Sequence, residues 1–556
     1  MSLITSARSF VRRVRHDGVR CIPDMVYTRL MTLIHRDVLE RENAARRAEE
    51  AAYQTWRRRH ERPDPAPFHT DRRLSFLIPA YNTRPEHLRA LADSLLAQSC
   101  HRWEACIYDG ASPDARTREA LAELAARDAR FRVVMGEEND GISGNTNRAY
   151  AIAAGDVIAL CDHDDLLAPD AVRCILEAAE GGADFIYTDE DKVSEDGTRF
   201  FESHLKADYA PDALRAGNYV CHITAMTRDL AEELIRADGA LLRSAFDGSQ
   251  DHDLALRACE RARKIVHIPR ILYHWRMLDA SFSHQKAEKC VQAACHAVQE
   301  QLHRTGLEGR VGMETLRVRI RYAVPEGAVT AIVMGEGRIP PLPGEVIRVG
   351  SPEERNEAAR RAKGEYLLFL HSGMTPLDRQ TKENWLDEML MYARRPDVGC
   401  VGSAILDAKR FYRHAGYAVD VPGGAVSHHA GQWLYGRPYM ITDRLVRNVT
   451  GVSGGLLLIR RELFLRLGGF GDYAGDLAGA DLGLKCLGAG LVNVYTPHAR
   501  MVCRGTLPCL NGETPREDLQ RFRSAWGEHP QERYYSPLFT RDGRMTIDMT
   551  EQEAEE

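Results

Sequence analysis

Apolar residues are scattered among charges over residues 1–70, then gather into short compact runs from Leu74 onward. Leu74–Ile78 is such a run and ends at Pro79, as a buried strand does. Leu88–Gln98 carries apolar residues at helical spacing, and Trp103–Tyr108 reads as the next strand, stopping at Asp109-Gly110. A helix over Thr117–Arg127, a strand at Phe131–Met135, a helix over Asn145–Ala153 and a strand at Val157–Leu160 follow. Strands alternating with helices at this spacing predict a parallel sheet with helices on both faces. Ligands of such sheets sit beyond the carboxyl ends of strands. Asp109 and Asp162 fall just past strand ends, which makes them site candidates on topology alone. A second alternating stretch runs from Val329 to Val502, with Glu365–Leu370 and Gly454–Ile459 as strands.

The two ends differ from this. Arg8, Arg12, Arg13, Arg15 and Arg20 alternate with Phe10, Val11, Val14 and Val19. That pattern suits an anionic membrane surface, and equally a solvated arm or a helix packed on the body. Glu40–Arg62 is rich in Arg, Glu and Ala, with Tyr53 and Trp56 as anchors, and Pro63–Pro67 stops the helix. The tail from Met545 is acidic and polar and is expected to be disordered.

Composition narrows the class. With 44% hydrophobic and 28% charged residues, the chain is built like an ordinary soluble protein with material for more than one core. The net charge of -6 argues against a nucleic-acid partner. The 13 cysteines are scattered, with no C-x-x-C, so neither a zinc site nor a disulfide framework is expected and a reducing, cytoplasmic setting fits. No apolar run is long enough for a transmembrane helix, and no signal-peptide pattern is present.

Chemistry concentrates after the strand ending at Leu160. Asp162, Asp164 and Asp165 lie within four residues. In extended geometry alternate residues point the same way, so Asp162 and Asp164 can converge on one ligand. Mg²⁺ or Mn²⁺ relieves the repulsion between such carboxylates. Asp164 or Asp165 could instead cap a helix starting near Pro169. Gly248–Asp253 has the same duality: Asp251 could cap the helix that follows, or act as a general base if an incoming hydroxyl reached it.

Taken in order, these segments resemble the family 2 glycosyltransferases of bacterial surface-polysaccharide synthesis, including rhamnosyltransferase-like members. The resemblance covers residues 74–290. It rests on Ile78–Asn82, Gln98–Glu104, Tyr108–Ser112, Asn139–Ser143 with Asn147 and Ala154–Asp156, Asp162–Leu167, Tyr187–Lys192, Asn218-Tyr219 and Ile268–Arg276. It implies an α/β fold of the GT-A type, a Rossmann-like mixed sheet that binds a nucleotide-diphospho-sugar. It also implies roles. Pro79, Tyr81, Asn82, Asp109, Asn147, Asp162 and Arg276 would hold the nucleotide-sugar donor, and Asp164 with His274 would hold Mg²⁺ or Mn²⁺. Asp251 would take the proton from a hydroxyl of a glycan or lipid-linked acceptor. Transfer would invert the anomeric centre, at the inner face of the plasma membrane if the N-terminal arm touches it.

Val329–Gly505 resembles the same family again, without the acids. Asn356–Leu370, Trp385–Met389, His414–Gly416, Asn448–Gly455, Arg460–Phe464, Gly468–Phe470 and Val494–His498 carry the likeness. After Leu370, however, comes His371-Ser-Gly-Met374, and Gly479 stands where Asp251 would be matched. The module is also short: 88 positions separate Leu74 from Asp162, and 42 separate Val329 from His371. The resulting layout is a basic helical arm (1–70), a catalytic domain (71–300), a linker (301–328), a truncated, degenerate GT-A-like domain (329–505) and a C-terminal extension (506–556). His428-His429 suggests no metal without a partner cluster. The rival reading is a non-catalytic glycan-binding or scaffold protein on a glycosyltransferase-like fold. A nucleotidyltransferase would need a Gly-rich phosphate loop that Ile78–Asn82 lacks.

Overall fold

The computed structural model describes residues 34–278, 287–377, 379–436, 438–505 and 514–550. The basic stretch Arg8–Arg20 and the last residues, 551–556, lie outside these. No described helix is long and apolar enough to cross a membrane.

The first module holds β1 (Leu74–Ala80), β2 (Trp103–Asp109), β3 (Phe131–Met135), β4 (Val157–Leu160), β5 (Leu166–Leu167), β6 (Phe185–Val193), β7 (Phe200–His204), β8 (Thr224–Thr227) and β9 (Ile265–Arg276). They form one sheet in the order β3-β2-β1-β4-β8-β6-β9-β5, with β7 on β6. The first four run parallel, as the alternating pattern predicts, but β8 is antiparallel to both its neighbours, so the sheet is mixed. Period-two alternation gives β1 two buried faces. Leu74, Phe76, Ile78 and Ala80 face the helices Pro85–Leu96 and Ala171–Glu180. Leu77 faces a larger core that continues into the second module.

Residues expected to form a linker are structured. The helix Ala287–Arg304 runs into them, and a hairpin follows, β10 (Gly309–Glu314) with β11 (Arg317–Tyr322). The second module adds β12 (Val329–Met334), β13 (Glu345–Val349), β14 (Tyr366–His371), β15 (Met374–Pro376), β16 (Val398–Leu406) and β17 (Tyr412–His414). After the small pair β18 (Tyr417–Ala418) and β19 (Val426–Ser427) come β20 (Arg447–Val449), β21 (Leu456–Arg460) and β22 (Val492–Cys503). Their order is β13-β12-β14-β21-β16-β22-β15, with β17 on β16 and β20 on β22.

Apart from the added β20, that is the first sheet without its outer strand β3. The match extends to strand direction: β12 is parallel to β13 and β14, β21 is antiparallel to β14 and β16, and β15 is antiparallel to β22. The registers can therefore be superposed. Val157 pairs with Leu74 and Thr227, and Tyr366 pairs with Val329 and Arg460. Counting forward, Asp162, Asp164 and Asp165 fall on His371, Gly373 and Met374.

A buried polar knot joins the modules. Asp212 sits between Arg395, Arg215 at 3.4 Å and the Asn448 amide at 2.9 Å. Burial pushes the Asp212 carboxyl up, and Arg395 and Arg215 outweigh it, holding it below its ordinary value. Breaking such a buried pair by removing one partner costs about 3–5 kcal/mol. The helix Arg36–His60 and the C-terminal extension clamp the same seam. Tyr53 and Trp56 are buried as anticipated, together with Tyr535, Phe539, Met545 and Ile547. Residues 545–550 are thus packed rather than disordered, because Met545 and Ile547 supply apolar side chains within an otherwise polar tail.

Candidate active site

The loop after β4 explains why the acids are not helix caps. Leu166–Leu167 returns to the sheet as β5, antiparallel to β9, and the next helix is capped at Asp170. Asp165 is fully buried and structural: it accepts from the Tyr273 hydroxyl at 2.6 Å and from the Arg276 N–H at 2.6 Å. The Tyr273 hydroxyl in turn accepts from the Asp162 N–H at 3.1 Å. Two carboxylates thereby remain partly exposed. The Asp162 side chain is 41% exposed. Asp164 is 20% exposed, with His163 Nδ1 3.8 Å from its Oδ1. The Asp162 carboxyl is raised by burial first; His222 opposes this, and Asp164 and Asp251 add to it.

Asp251 comes from a separate element. Ser249 is the N-cap of the helix Gln250–Arg261, so Asp251 lies within the first turn and is not the cap. Its Oδ2 accepts from Asn218 Nδ2 at 2.9 Å, while the Asn218 Oδ1 is buried without a partner. The neighbouring residues fix the turn. His252 contacts the Leu214 carbonyl at 2.6 Å, and Asp253 is fully buried against Arg243 and Arg257.

A third group had no role suggested by the sequence. Glu190 on β6 lies 3.0 Å from His222 Nδ1 and 3.0 Å from His204 Nδ1, with the buried Lys206 at 3.8 Å. Burial pushes the Glu190 carboxyl up, but Lys206 and the two imidazoles hold it well below its ordinary value. His222 Nε2 lies 3.7 Å from Asp162, and its ring stacks on Tyr273 with centroids 5.0 Å apart. Burial disfavours its cation, yet the contacts with Cys221 and Glu190 raise its pKa well above the usual imidazole range. The clue in the sequence was Thr188-Asp-Glu-Asp191, acids in a strand that is otherwise apolar.

The remaining candidates fall into two sets. Pro79 is the last but one residue of β1, Tyr81 is 45% exposed, and Asn82 has φ +53° with its N–H bonded to Ser112 Oγ. Asp109 ends β2, fully buried, and accepts from the Ser112 N–H at 3.0 Å. These four line the carboxyl edge of β1 and β2. Gly110 beside them admits no side chain, since a Cβ would lie 2.3 Å from Asn145 Nδ2. Asn147 is used differently, pinning the Leu242 main chain through both ends of its amide. Arg276 Nε donates to the Asp164 carbonyl at 2.5 Å and its Nη1 to the Glu195 carbonyl at 2.8 Å, while Nη2 is buried without a partner.

His274 does not join Asp164. Adjacent residues on a strand point to opposite faces, so Tyr273 reaches Asp165 and His274 reaches the other side. There its Nδ1 contacts Asp191 at 2.6 Å and its Nε2 lies 3.5 Å from Glu61, with the Tyr53 hydroxyl on the other Asp191 oxygen. His428 and His429 are buried and bonded to Arg447 and to Gln432 and Thr442, in no metal-competent cluster among the described residues.

The oxygen donors of Asp162 and Asp164 suit a hard divalent cation, and their mutual repulsion is what such an ion relieves. Among the described residues the second module offers no equivalent. A Cβ at Gly479 would lie 2.4 Å from the Val452 carbonyl oxygen and 2.9 Å from the Tyr417 ring. The framework beside it persists: Lys485 pairs with Asp481 at 2.7 Å, as Arg257 pairs with Asp253 at 2.9 Å.

The family model described as Glycosyl transferase family 2 matches residues 75–235. "Uncharacterized protein y4gI" of Sinorhizobium fredii is 32% identical over 81% of this chain and 55% of its own. "O-antigen biosynthesis protein RfbC" of Myxococcus xanthus is 29% identical over 84% of this chain and 40% of its own. The chain thus spans about half the length of these curated relatives. Among solved structures, S. aureus TarS 1-349 in complex with UDP-GlcNAc is similar at TM-score 0.35 and 16% identity, over 41% of this chain and 66% of that one.

Proposed function

Because residues 75–235 belong to glycosyl transferase family 2, we propose that this chain moves a sugar from a nucleoside diphosphate donor to a hydroxyl of a glycan or lipid-linked acceptor, with inversion, in polysaccharide synthesis. The observation that supports the reading is that Asp251 lies close enough to Asp162 to push its carboxyl up, as Asp164 does. Tyr81, Asn82 and Asp109 sit at the strand edge where the nucleoside would lie. Asp162 and Asp164 would hold Mg²⁺ or Mn²⁺, which supplies positive charge to the departing diphosphate.

A sugar hydroxyl is a poor nucleophile at neutral pH. Asp251 accepts its proton as the hydroxyl oxygen bonds to the anomeric carbon. The bond to the diphosphate breaks on the opposite face, and its electron pair leaves with the nucleoside diphosphate. Asn218 holds one carboxylate oxygen of Asp251 and so turns the other toward the acceptor. No sugar–enzyme bond is required. The second module, with Gly479 sealed by Val452 and Tyr417, serves as a non-catalytic partner that shares the core of the first.

Thermal-shift screening of nucleoside diphosphates with Mn²⁺ tests the donor side. Stabilisation by one of them, lost in Asp164→Ala, is expected. No stabilisation by any of them would contradict the proposal.

A further inference from the structure

At the seam between the modules, the β10–β11 hairpin roofs a small cavity of about 80 Å³, partly open to solvent, lined by Arg317, Arg319, Arg444 and His498 together with Asp212 and Glu314. Its charges do not balance. Asp212 is matched by Arg395 and Arg215. Arg319 and Arg321 share Glu314 and Glu388, and Arg444 lies 3.6 Å from Asp443. Arg500, like Arg317 and Arg321, adds to the positive field on His498. In this neighbourhood five guanidiniums (317, 319, 321, 444 and 500) outnumber three carboxylates (Glu314, Glu388 and Asp443) by two, with Arg317, Arg319, Arg444 and Glu314 of these on the cavity wall.

Donors are also left over. Among the described residues the half-buried Arg317 makes no side-chain hydrogen bond or ion pair, nor does Arg500. Arg319 Nε, 3.6 Å from Glu314, and Arg500 Nε are buried without a hydrogen bond, and the Arg319 side chain is only 6% exposed. Buried donors left unmade are costly. Arg317 is held over the cavity by a hairpin tip in which Thr315 and Leu316 both adopt positive φ, +51° and +57°, a conformation unfavourable for either residue. Burial, then the surrounding arginines, keep His498 well below the usual imidazole range, so it enters as a neutral hydrogen-bonding group.

The geometry points to a phosphate-binding site shared by the two modules, taking a doubly charged phosphate or diphosphate group through the fork of Arg317 and the donors that Arg319 and Arg444 have left after bonding Glu388, the Ile320 carbonyl and Leu434. Guanidinium forks match phosphate oxygens in pairs. An excess of two charges suits a phosphate monoester or diphosphate better than a single carboxylate. The cavity and the proposed base are joined through one short stretch of chain: Ala216 lines the cavity, and Asn218, two residues on, bonds Asp251. The phosphate is therefore assigned to the acceptor, as in a lipid-linked diphosphate sugar. That assignment rests on the transferase reading; the binding of phosphate does not.

Calorimetric titration of the full chain with inorganic pyrophosphate in EDTA tests the site without the metal-dependent donor. Binding is expected in the wild type and in Asp164→Ala, and at least tenfold weaker in both Arg317→Ala and Arg444→Ala. Having no partner to lose, Arg317→Ala should melt like the wild type; should it not fold, Arg444→Ala reads the same loss. Unchanged pyrophosphate binding in the folded variants, or tighter binding of an oligoglucuronate than of pyrophosphate, overturns the site. Transfer assays then separate the sources. Arg317→Ala should raise KM at least tenfold for an acceptor sugar carried on a short prenyl diphosphate and leave KM for its methyl glycoside unchanged. Equal KM effects on both acceptors would assign the phosphate to a free anion and overturn its placement on the acceptor.

Discussion

Asn218 Nδ2 donates to Asp251 Oδ2 at 2.9 Å, so the acid proposed as the base is aimed by an amide 33 positions earlier in the chain. A hydrogen bond to a charged group is worth about 1.5–3 kcal/mol. Asn218→Ala is therefore expected to lower kcat by about 10- to 100-fold while leaving nucleoside diphosphate affinity unchanged. Steady-state kinetics beside a binding titration checks it; an unchanged kcat removes Asn218 from the mechanism.

The acids after β4 make a separate prediction. EDTA is expected to abolish transfer by the wild type, and Mn²⁺ or Mg²⁺ to restore it. Asp164→Ala should weaken metal and donor binding together. A wild-type rate indifferent to EDTA would remove the metal from the account.

Gly479 tests the idea that the second module has closed its site. Gly479→Ala must displace the Val452 carbonyl or the Tyr417 ring, and overpacking of this kind costs about 1–3 kcal/mol. A lower midpoint in denaturant is expected, with transfer per folded molecule unchanged. A neutral substitution would mean that space for a side chain remains.

His414 gives a pH dependence with a definite sign. Its Nε2 accepts from the Ser453 N–H at 2.9 Å and the Gly416 N–H at 3.2 Å, so the ring is neutral there. Burial, then Arg447, lowers its pKa to about 3. A histidine depressed in the folded state contributes stability that is complete above the unfolded value and lost as pH falls below it. With an unfolded value of about 6.5, the loss at pH 5 is about 2 kcal/mol. Unfolding titrations at pH 7.5 and 5 should show this fall, and His414→Gln should flatten it; an equal slope in the variant would contradict the assignment.

Much of this was legible beforehand. The strand after Ile152, the acids at its end and the paired modules all follow from apolar runs and their punctuation. The alternatives to a site fell on local details: Leu166–Leu167 rejoins the sheet, and Asp170 and Ser249 take the cap positions from the candidate acids. What stayed hidden depends on pairing. Glu190 meets His222 across 32 positions, which no periodicity reports. His274 turned to Asp191 because strand register, not motif, decides the face on which a residue lies. The repeated sheet order became visible only when strand partners were known.

The central claim is most directly tested by Asp251→Asn, assayed for both sugar transfer and nucleoside diphosphate binding. The amide keeps the shape of the side chain and cannot take a proton. Transfer is expected to fall by about 10²–10⁴, with donor binding within twofold of the wild type. Turnover close to wild type in a folded Asp251→Asn protein would contradict the account.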